Sequence, residues 1–360
     1  MRVLFIWHAG VVAAYRERFR ALRRLNPDLD LHVLLPDQSF EGGQWVSYEP
    51  HDGDDYYIHR PGSIWTKHPN GVFYKMWLRD LRRINPDIVH VHEEAWTLSA
   101  LQMILAFSPR TPLVIESFEN LMRPIKWPFR HLEPFVMKRA NGFVAGTPAV
   151  KRVLLHKGVS QPIDVIPYGS AAPGPIGPRT RNERLRVAFV GRLAAEKGIR
   201  TLFEAVPLLK SSVEIIVVGR GPLAGSVNAV VAVYNGVVSW IPGIHSSAVI
   251  DFLRSIDVLV LPSVTTATWA EQFGRVLVEA MSVGTVPVGS DSGEIPWVIG
   301  DAGLVFPEGQ AVELAAALDA LATDRGRWES LSHRARERFA ERFTWEGAAQ
   351  RLKKFYSALV

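Results

Sequence analysis

The sequence has 360 residues, a length at which more than one domain is expected. Its content of 48% apolar and 21% charged residues is typical of a globular protein. The formal net charge of +5 favours anionic partners, although most basic residues are expected on solvated helix faces. The absence of cysteine excludes disulfides and thiolate metal sites and agrees with a cytoplasmic location. No apolar run approaches the ~20 residues of a membrane-spanning helix, and the first apolar run is expected to be a strand rather than a signal peptide.

Short apolar segments alternate with helical patterns along the chain, which predicts parallel sheets covered by helices. The first series of predicted strands is 2–7, 30–36, 87–92, 112–117, 142–147 and 163–167. The second series is 186–191, 213–219, 237–241, 258–263, 286–291 and 303–307. Between the two series, residues 169–184 begin with a run rich in Gly and Pro and predict a linker.

These series predict an α/β protein with two Rossmann-like domains, 1–168 and 185–343, whose parallel sheets face each other across a cleft. A last helical pattern covers residues 344–360 and begins with a threonine that suits an N-cap. Ligands bind beyond the carboxyl ends of the strands in such sheets. Site residues are therefore expected in the loops that follow the strands.

One such loop, 191–198, places two cations five residues apart at the start of a helical pattern. Arg192 and Lys197 could neutralise a diphosphate, and the helix amides behind Gly191 would add to the attraction. On its own, however, this segment could equally be a surface turn with solvated charges. Gly219 follows another strand and allows close backbone approach, which is also what a simple tight turn needs. Neither GxGxxG nor a GxxxxGK[ST] loop occurs in the chain.

The segment 271–279, EQFGRVLVE, approaches and enters an apolar helix pattern. The carboxylates of Glu271 and Glu279 are expected roughly 10 Å apart, which is too far for an acid/base pair on one bond. They suit two sets of hydroxyls on one long ligand, while the amides of Phe273, Gly274 and Arg275 suit a phosphate. Alternatively, Glu279 is a buried structural charge with a partner.

Together these motifs resemble the family-four retaining glycosyltransferases, the glycosyl transferases group 1, which have the GT-B fold. The most specific matches are EQFGRVLVEAM from residue 271 and VGRLAAEKG from residue 190. Supporting matches are PDIVHVH from residue 86, IPYG from 166, LVLPS from 259 and GSDSGEIP from 289. The resemblance covers essentially the whole chain.

The resemblance implies that Arg192 and Lys197 clamp the diphosphate of a nucleotide-sugar donor and stabilise the leaving nucleotide. Glu271 would bind hydroxyls of a transferred hexose, and Glu279 the ribose. Gly10 would offer its amide to the phosphates from the first domain. The nucleobase would lie near the loop 241–245, which contains Ile244, and the last helix would pack back on the first domain.

The implied reaction retains the anomeric configuration by front-face attack, which needs no protein nucleophile. Because the two cations can stabilise charge on the leaving oxygen, neither a metal nor a cofactor is expected. The acceptor is expected to be a hydroxyl of a glycan, of a lipid-linked acceptor or of a small molecule. Two relatives of the same fold stay open as alternatives, a nucleotide-sugar epimerase and a non-catalytic nucleotide-sugar-binding protein. No nucleic-acid-binding motif is present.

The acceptor is expected at the first domain, where His8 and the run 92–96 follow two predicted strands. Glu93 or Glu94 could bind sugar hydroxyls and Trp96 could stack on a sugar ring, although a tryptophan beside an apolar helix start can equally belong to the core. Glu116 stands about where many relatives carry a histidine near the acceptor. It could contact the acceptor together with Asn120, or it could be a structural carboxylate.

Two segments are strongly basic. Residues 16–24 form a helical pattern, and residues 123–130 interleave aromatic residues with cations. Both could be ordinary solvated surface. The second segment would also suit an anionic lipid headgroup, which predicts possible peripheral contact with an anionic membrane.

Overall fold

The computed structural model describes residues 1–41, 44–64, 72–170, 174, 177 and 179–360. The chain forms two compact units, the first comprising Met1–Gly169 and Trp345–Val360 and the second Ser170–Thr344. Residues 171–173, 175–176 and 178 of the predicted linker lie outside the described residues. Its end packs on the second unit, because Arg179 donates to the carbonyl oxygen of Ile256 at 2.5 Å and the Asn182 side-chain amide donates to Asp257 at 3.0 and 3.1 Å.

The first unit contains a seven-stranded parallel sheet. Its strands are β1 (Arg2–Ile6), β2 (Asp30–Leu34), β5 (Tyr57–His59), β8 (Ile88–Val91), β9 (Leu113–Ser117), β10 (Gly142–Ala145) and β11 (Ile163–Val165). Their order in the sheet is β11-β10-β9-β8-β1-β2-β5. Two antiparallel hairpins lie beside it, β3 (Gln38–Glu41) with β4 (Gln44–Ser47), and β6 (Ser63–Ile64) with β7 (Phe73–Tyr74).

Helices cover both faces of this sheet, so successive side chains of β1 are all buried. Leu4 and Ile6 belong to one apolar cluster, while Val3 and Phe5 belong to another. Such continuous apolar strands are what a sheet covered on both faces requires. The helices are α1 (Glu17–Leu25), α2 (Leu78–Arg83), α3 (Leu98–Ala106), α4 (Phe129–Arg139), α5 (Pro148–His156) and α13 (Trp345–Ser357).

The C-terminal helix α13 is part of the first unit. Its side chains Leu352, Phe355 and Tyr356 are buried in the same cluster as Phe5 and Phe19. The Tyr356 hydroxyl lies 2.6 Å from Nδ1 of His90 in β8. The last segment of the chain therefore completes the core that the first segments begin.

The second unit contains a six-stranded parallel sheet. Its strands are β12 (Leu185–Val190), β13 (Val213–Val218), β14 (Val238–Ile241), β15 (Val258–Leu261), β16 (Val286–Ser290) and β17 (Leu304–Phe306). Their order in the sheet is β14-β13-β12-β15-β16-β17. Its helices are α6 (Ile199–Ala205), α7 (Ala224–Val233), α8 (Val249–Arg254), α9 (Arg275–Ser282), α10 (Ile295–Ile299), α11 (Ala311–Thr323) and α12 (Arg325–Arg342).

Every predicted strand has a counterpart in the structure, shorter by one or more residues at one or both ends in most cases. The edge strand β5 and the four hairpin strands were not predicted, because they are two to four residues long and carry no continuous apolar run. In the part of the chain that the structure describes, no helix has the length and apolar character to cross a membrane.

Candidate active site

Each sheet has a point at which the strand order reverses, and such points bind ligands in folds of this class. In the first unit the reversal lies between β1 and β8, and in the second between β12 and β15. The loops after β12 and β15 carry the predicted donor residues Lys197 and Glu271. The loops after β1 and β8 carry the acceptor candidates His8 and Glu93. The topology therefore pairs residues that are about 70 to 90 positions apart in sequence.

Lys197 and Glu271 form a direct ion pair in the second unit. Lys197 Nζ lies 2.6 Å from Glu271 Oε2, and the Ser263 hydroxyl donates to the same oxygen at 2.8 Å. The ammonium group also lies 4.9 Å from the ring centre of Trp269, within cation–π range. Glu271 is buried, whereas the Lys197 side chain is 21% exposed, so a ligand can reach the ammonium group.

Two glycines allow the loops to approach so closely. Gly198 has φ +66°, and a Cβ there would lie 1.7 Å from the carbonyl oxygen of Pro262. Gly293 has φ +55°, and a Cβ there would lie 2.1 Å from the carbonyl oxygen of Glu271. Any side chain at either position would push a loop away, so these two residues fix the distance between Lys197 and Glu271.

Arg192 is exposed at the end of β12 and forms an ion pair with Glu196, four residues later. The neighbouring glycines were predicted to contact the donor, but their amides are used by the sheet. Gly191 donates to the carbonyl oxygen of Val218 and Gly219 to that of Ile241, each at 3.0 Å. A ligand could therefore approach these glycines closely without receiving a hydrogen bond from either amide.

Helix α9 begins at Arg275, with Gly274 in the left-handed conformation as its N-cap. The Phe273 side chain is buried and packs edge-on against Phe343, so only its backbone could serve a ligand. Glu279 is half-buried, and no hydrogen bond or ion pair joins its carboxylate to another described residue. Burial raises the pKa of Glu279, and the charge of Arg275 partly offsets this effect. Ile244 is half-buried in the loop after β14.

In the first unit, His8 and Glu93 form a pair at the strand-order reversal. His8 Nδ1 lies 2.5 Å from Glu93 Oε1, and the His8 amide donates to the same oxygen at 2.9 Å. The His8 side chain is partly exposed, whereas that of Glu93 is buried. The pair therefore presents an oriented imidazole at the carboxyl edge of the sheet.

Glu94 belongs to a second acidic group at this edge. It accepts hydrogen bonds from the Ser117 hydroxyl at 2.6 Å and from the amides of Phe118 and Glu119 at 2.7 and 2.9 Å. Burial, reinforced by the charge of Glu119, raises the pKa of Glu94 to about 7. Asn120 follows in the chain and is half-buried.

Two first-unit predictions need correction. The Gly10 amide was expected to point to phosphate, but it lies in the 3-10 helix His8–Val11 and donates to the carbonyl oxygen of Trp7 at 3.3 Å. Trp96 was expected to stack on a sugar, but only 7% of it is exposed and it packs edge-on against Phe129. The core alternative therefore describes Trp96.

Glu116 lies inside β9, not beyond its end, and is 2% exposed. Its carboxylate oxygens lie 3.0 Å from Arg18 Nη2, 2.9 Å from His90 Nε2 and 2.8 Å from His92 Nδ1. The interaction with Arg18, followed by that with His92, holds the Glu116 pKa well below its usual value against the effect of burial. Burial lowers the pKa of His92 to about 3. An acceptor could not reach this carboxylate, so its role is structural.

The same arginine shows why the expectation of a solvated surface for residues 16–24 is wrong. Arg16, Arg18 and Arg20 are all buried. Arg16 and Arg20 both pair with Asp54, at 2.8 and 2.9 Å, while Arg18 pairs with Glu116. These three arginines are thus neutralised inside the unit, whereas Arg24 of the same segment is exposed.

Three residues near the predicted sites were missed. Ser263 ends the LVLPS motif, and this position at a strand end was the available signal. Trp269 had no signal, because its contact with Lys197 depends on a loop of unpredictable shape. Glu119 was overlooked because Glu116 was assigned to the strand end. Glu119 is the carboxylate beyond β9, held by Arg123 and Lys157, each at 2.6 Å.

The fold and this arrangement agree with comparisons to known proteins. The family Glycosyltransferase Family 4 matches residues 9–170, and the family Glycosyl transferases group 1 matches residues 184–324. A phosphatidyl-myo-inositol mannosyltransferase of Mycolicibacterium smegmatis is 26% identical over 347 residues, which cover 91% of this chain and 83% of that protein.

Two solved structures share the fold over nearly the whole chain. Sucrose-phosphate synthase of Thermosynechococcus elongatus has a TM-score of 0.74 at 18% identity and covers 100% of this chain and 99% of its own. HepE of Anabaena, in complex with UDP, has a TM-score of 0.75 at 16% identity and covers 99% and 100%. The protein is thus a glycosyltransferase with a GT-B fold. It belongs to the group 1 glycosyltransferases, family 4, and the predicted family and fold class are confirmed.

Proposed function

We propose that this glycosyltransferase transfers a hexose from a nucleoside-diphosphate sugar to a hydroxyl acceptor with retention of the anomeric configuration. The second unit binds the donor and the first unit binds the acceptor. The observation that supports this best is the assembly of Lys197, Glu271 and Ser263 at the strand-order reversal of the second unit. The expected place of reaction is the cytoplasm or the inner face of its membrane.

Donor binding exchanges one ion pair for another. Without donor, Glu271 neutralises Lys197. The diphosphate takes over the ammonium group and draws Arg192 from Glu196. Glu271 then accepts hydrogen bonds from the hexose hydroxyls, and Glu279 accepts those of the ribose. Since the buried Glu271 has Lys197 as its partner before the donor binds and the hexose hydroxyls afterwards, the exchange avoids leaving this buried charge unpaired.

The chemical step follows from this placement. The bond between the anomeric carbon and the diphosphate oxygen breaks, and negative charge grows on that oxygen next to Lys197 and Arg192. The acceptor oxygen forms the new bond on the same face, and its proton passes to the departing phosphate. Because the two cations stabilise the leaving group, the reaction is proposed to be independent of a metal ion, and full activity in the presence of EDTA is expected.

The acceptor is proposed to be a sugar or a lipid-linked acceptor bound near His8, Glu93 and Glu94. Carboxylates and an imidazole suit the recognition of several hydroxyls. The name of the mannosyltransferase, which contains phosphatidyl-myo-inositol, supports a lipid-linked acceptor. The structure of HepE in complex with UDP supports a nucleoside-diphosphate donor.

A thermal-shift screen of UDP-, GDP- and ADP-sugars tests the donor, because a ligand of the folded state raises Tm according to its concentration over Kd. One nucleotide class is expected to give a clear rise that Lys197→Ala abolishes. Product analysis with that donor is then expected to show transfer only when an acceptor is present, with the anomeric configuration retained. Conversion of the donor alone to an epimer would contradict the proposal, and so would the absence of binding across all donors.

A further inference from the structure

The segment that follows β9 in the first unit carries an exposed apolar and cationic surface that the proposed reaction does not use. The three apolar side chains are unusually exposed, Met122 at 57%, Trp127 at 74% and Phe135 at 53%. The exposed cations beside them are Lys126, Arg130 and Lys138. These six residues are called the Trp127 surface.

Helix α4 explains how the surface is built. Residues Phe129, Leu132, Glu133, Val136 and Met137, at helical spacing, are half-buried or buried. The opposite face carries Arg130, Pro134, Phe135 and Lys138, all exposed. A solvated helix face would carry polar residues at these positions, so Phe135 and Pro134 mark a face that suits a less polar environment.

The charge of the surface has one sign. Glu133 is the only acidic residue between positions 120 and 138, and its carboxylate turns inward to Lys157 Nζ at 2.6 Å. No carboxylate among the described residues forms an ion pair with Lys126 or Lys138. Lys126 and Lys138 are thus unneutralised, and in sequence they stand within three residues of the exposed aromatic side chains Trp127 and Phe135.

We propose that the Trp127 surface docks this protein on an anionic phospholipid bilayer. Tryptophan and phenylalanine insert at the level of the headgroups, while lysine and arginine attract the anionic lipids around them. The positive charge of the surface complements the net negative charge of such a bilayer.

The position of the surface fits a lipid-borne acceptor. Arg123, at the start of the segment, pairs with Glu119 at 2.6 Å, and the Glu119 amide donates to Glu94 at 2.9 Å. Two consecutive contacts therefore join Arg123, the residue after Met122 of the surface, to the acceptor candidate Glu94. Docking here would bring a headgroup sugar towards that edge. The use of docking for catalysis rests on the proposed function, but docking itself does not.

Co-sedimentation of the full chain with vesicles tests the proposal without donor or acceptor, so its result is independent of catalysis. Binding is expected to phosphatidylcholine vesicles that contain phosphatidylglycerol and not to phosphatidylcholine alone. The double variant Trp127→Ala/Phe135→Ala is expected to reduce the bound fraction at least ~10-fold. Lys126→Glu/Arg130→Glu is expected to reduce it to the level seen with phosphatidylcholine alone.

Matched controls lie in the same unit. Trp77→Ala removes another exposed tryptophan, and Lys353→Glu/Lys354→Glu reverses two exposed charges on α13. Both are expected to bind as the wild type does, and an unchanged Tm shows that each variant is folded. Three results would overturn the proposal. These are no binding of the wild type to anionic vesicles, equal loss in the controls, or a dimer in size-exclusion chromatography that Trp127→Ala/Phe135→Ala converts to a monomer.

Discussion

In each unit a buried glutamate pairs with basic side chains, yet the two arrangements differ in their access to solvent. Glu116 lies within a strand, and its partners Arg18, His90 and His92 are all buried. Glu271 lies in a loop beyond a strand, and the side chain of its partner Lys197 reaches solvent. The first arrangement can only hold the fold together, whereas the second can exchange its partner for a ligand. Position relative to the carboxyl end of a strand therefore separates the two roles.

The largest expected effect concerns the buried cluster of Glu116 with Arg18, His90 and His92. Glu116→Leu leaves the buried guanidinium of Arg18 without its carboxylate, which is expected to lower the free energy of unfolding of the first unit by about 3–5 kcal/mol. Thermal unfolding followed by circular dichroism measures this loss. The control Glu346→Ala breaks the exposed ion pair between Glu346 and Arg24, which lies on the same helix α1 as Arg18, and is expected to cost less than about 1 kcal/mol. Donor binding at a temperature where both units are folded should be unchanged, and its loss would show that Glu116 also serves the site.

The next largest effect concerns the ion pair between Lys197 and Glu271. Lys197→Ala and Glu271→Ala are each expected to reduce kcat/KM at least ~100-fold, which corresponds to ~2.7 kcal/mol of transition-state stabilisation. Steady-state kinetics with the identified donor measures the loss. The control Arg186→Ala removes a partly exposed ion pair with Glu214 in the same unit and should leave kcat/KM close to the wild-type value. Near-normal activity in either site variant would remove that residue from the donor site.

A smaller effect sharpens the comparison through pH. Burial lowers the His92 pKa to about 3, so below the unfolded value of ~6.5 the native state binds fewer protons than the unfolded state. Stability is therefore lost as the pH falls, by about 2 kcal/mol from this group between pH 6.5 and pH 5. His92→Gln is expected to flatten this part of the profile, whereas the exposed control His333→Gln should not. An unchanged slope in His92→Gln would place the acid sensitivity elsewhere.

Glu94 titrates in the opposite sense. Because its pKa is raised to about 7, the native state binds more protons than the unfolded state between pH ~4.5 and 7. Its contribution to stability is thus present at low pH and lost as the pH rises through 7. His92 and Glu94 thus change the stability of the first unit in opposite directions as the pH changes. The pH dependence of wild-type stability gives only their sum, so the contribution of each residue is assigned by comparison with its variant.

Much of the fold was predictable, because buried parallel strands carry a continuous apolar signal that needs no knowledge of neighbours. The short edge strand β5 and the hairpins carry no such signal. The end of the predicted linker was also misjudged. Arg179 and Asn182 look like solvated polar residues in sequence, but they hydrogen-bond to the second unit in the structure.

For the site, the sequence by itself determined which residue types stand at strand ends. Arg192, Lys197 and Glu271 were identified in this way, because local strand and helix signals locate the loops between them, whereas Glu279 was identified by its place inside helix α9. Only the tertiary structure decided which charges meet. It paired Lys197 with Glu271 across 74 positions, and it buried Arg18 with Glu116 across 98. Charge pairing depends on distances between loops and strands that are remote in sequence, and burial depends on all the neighbours at once, so neither is encoded in a local pattern.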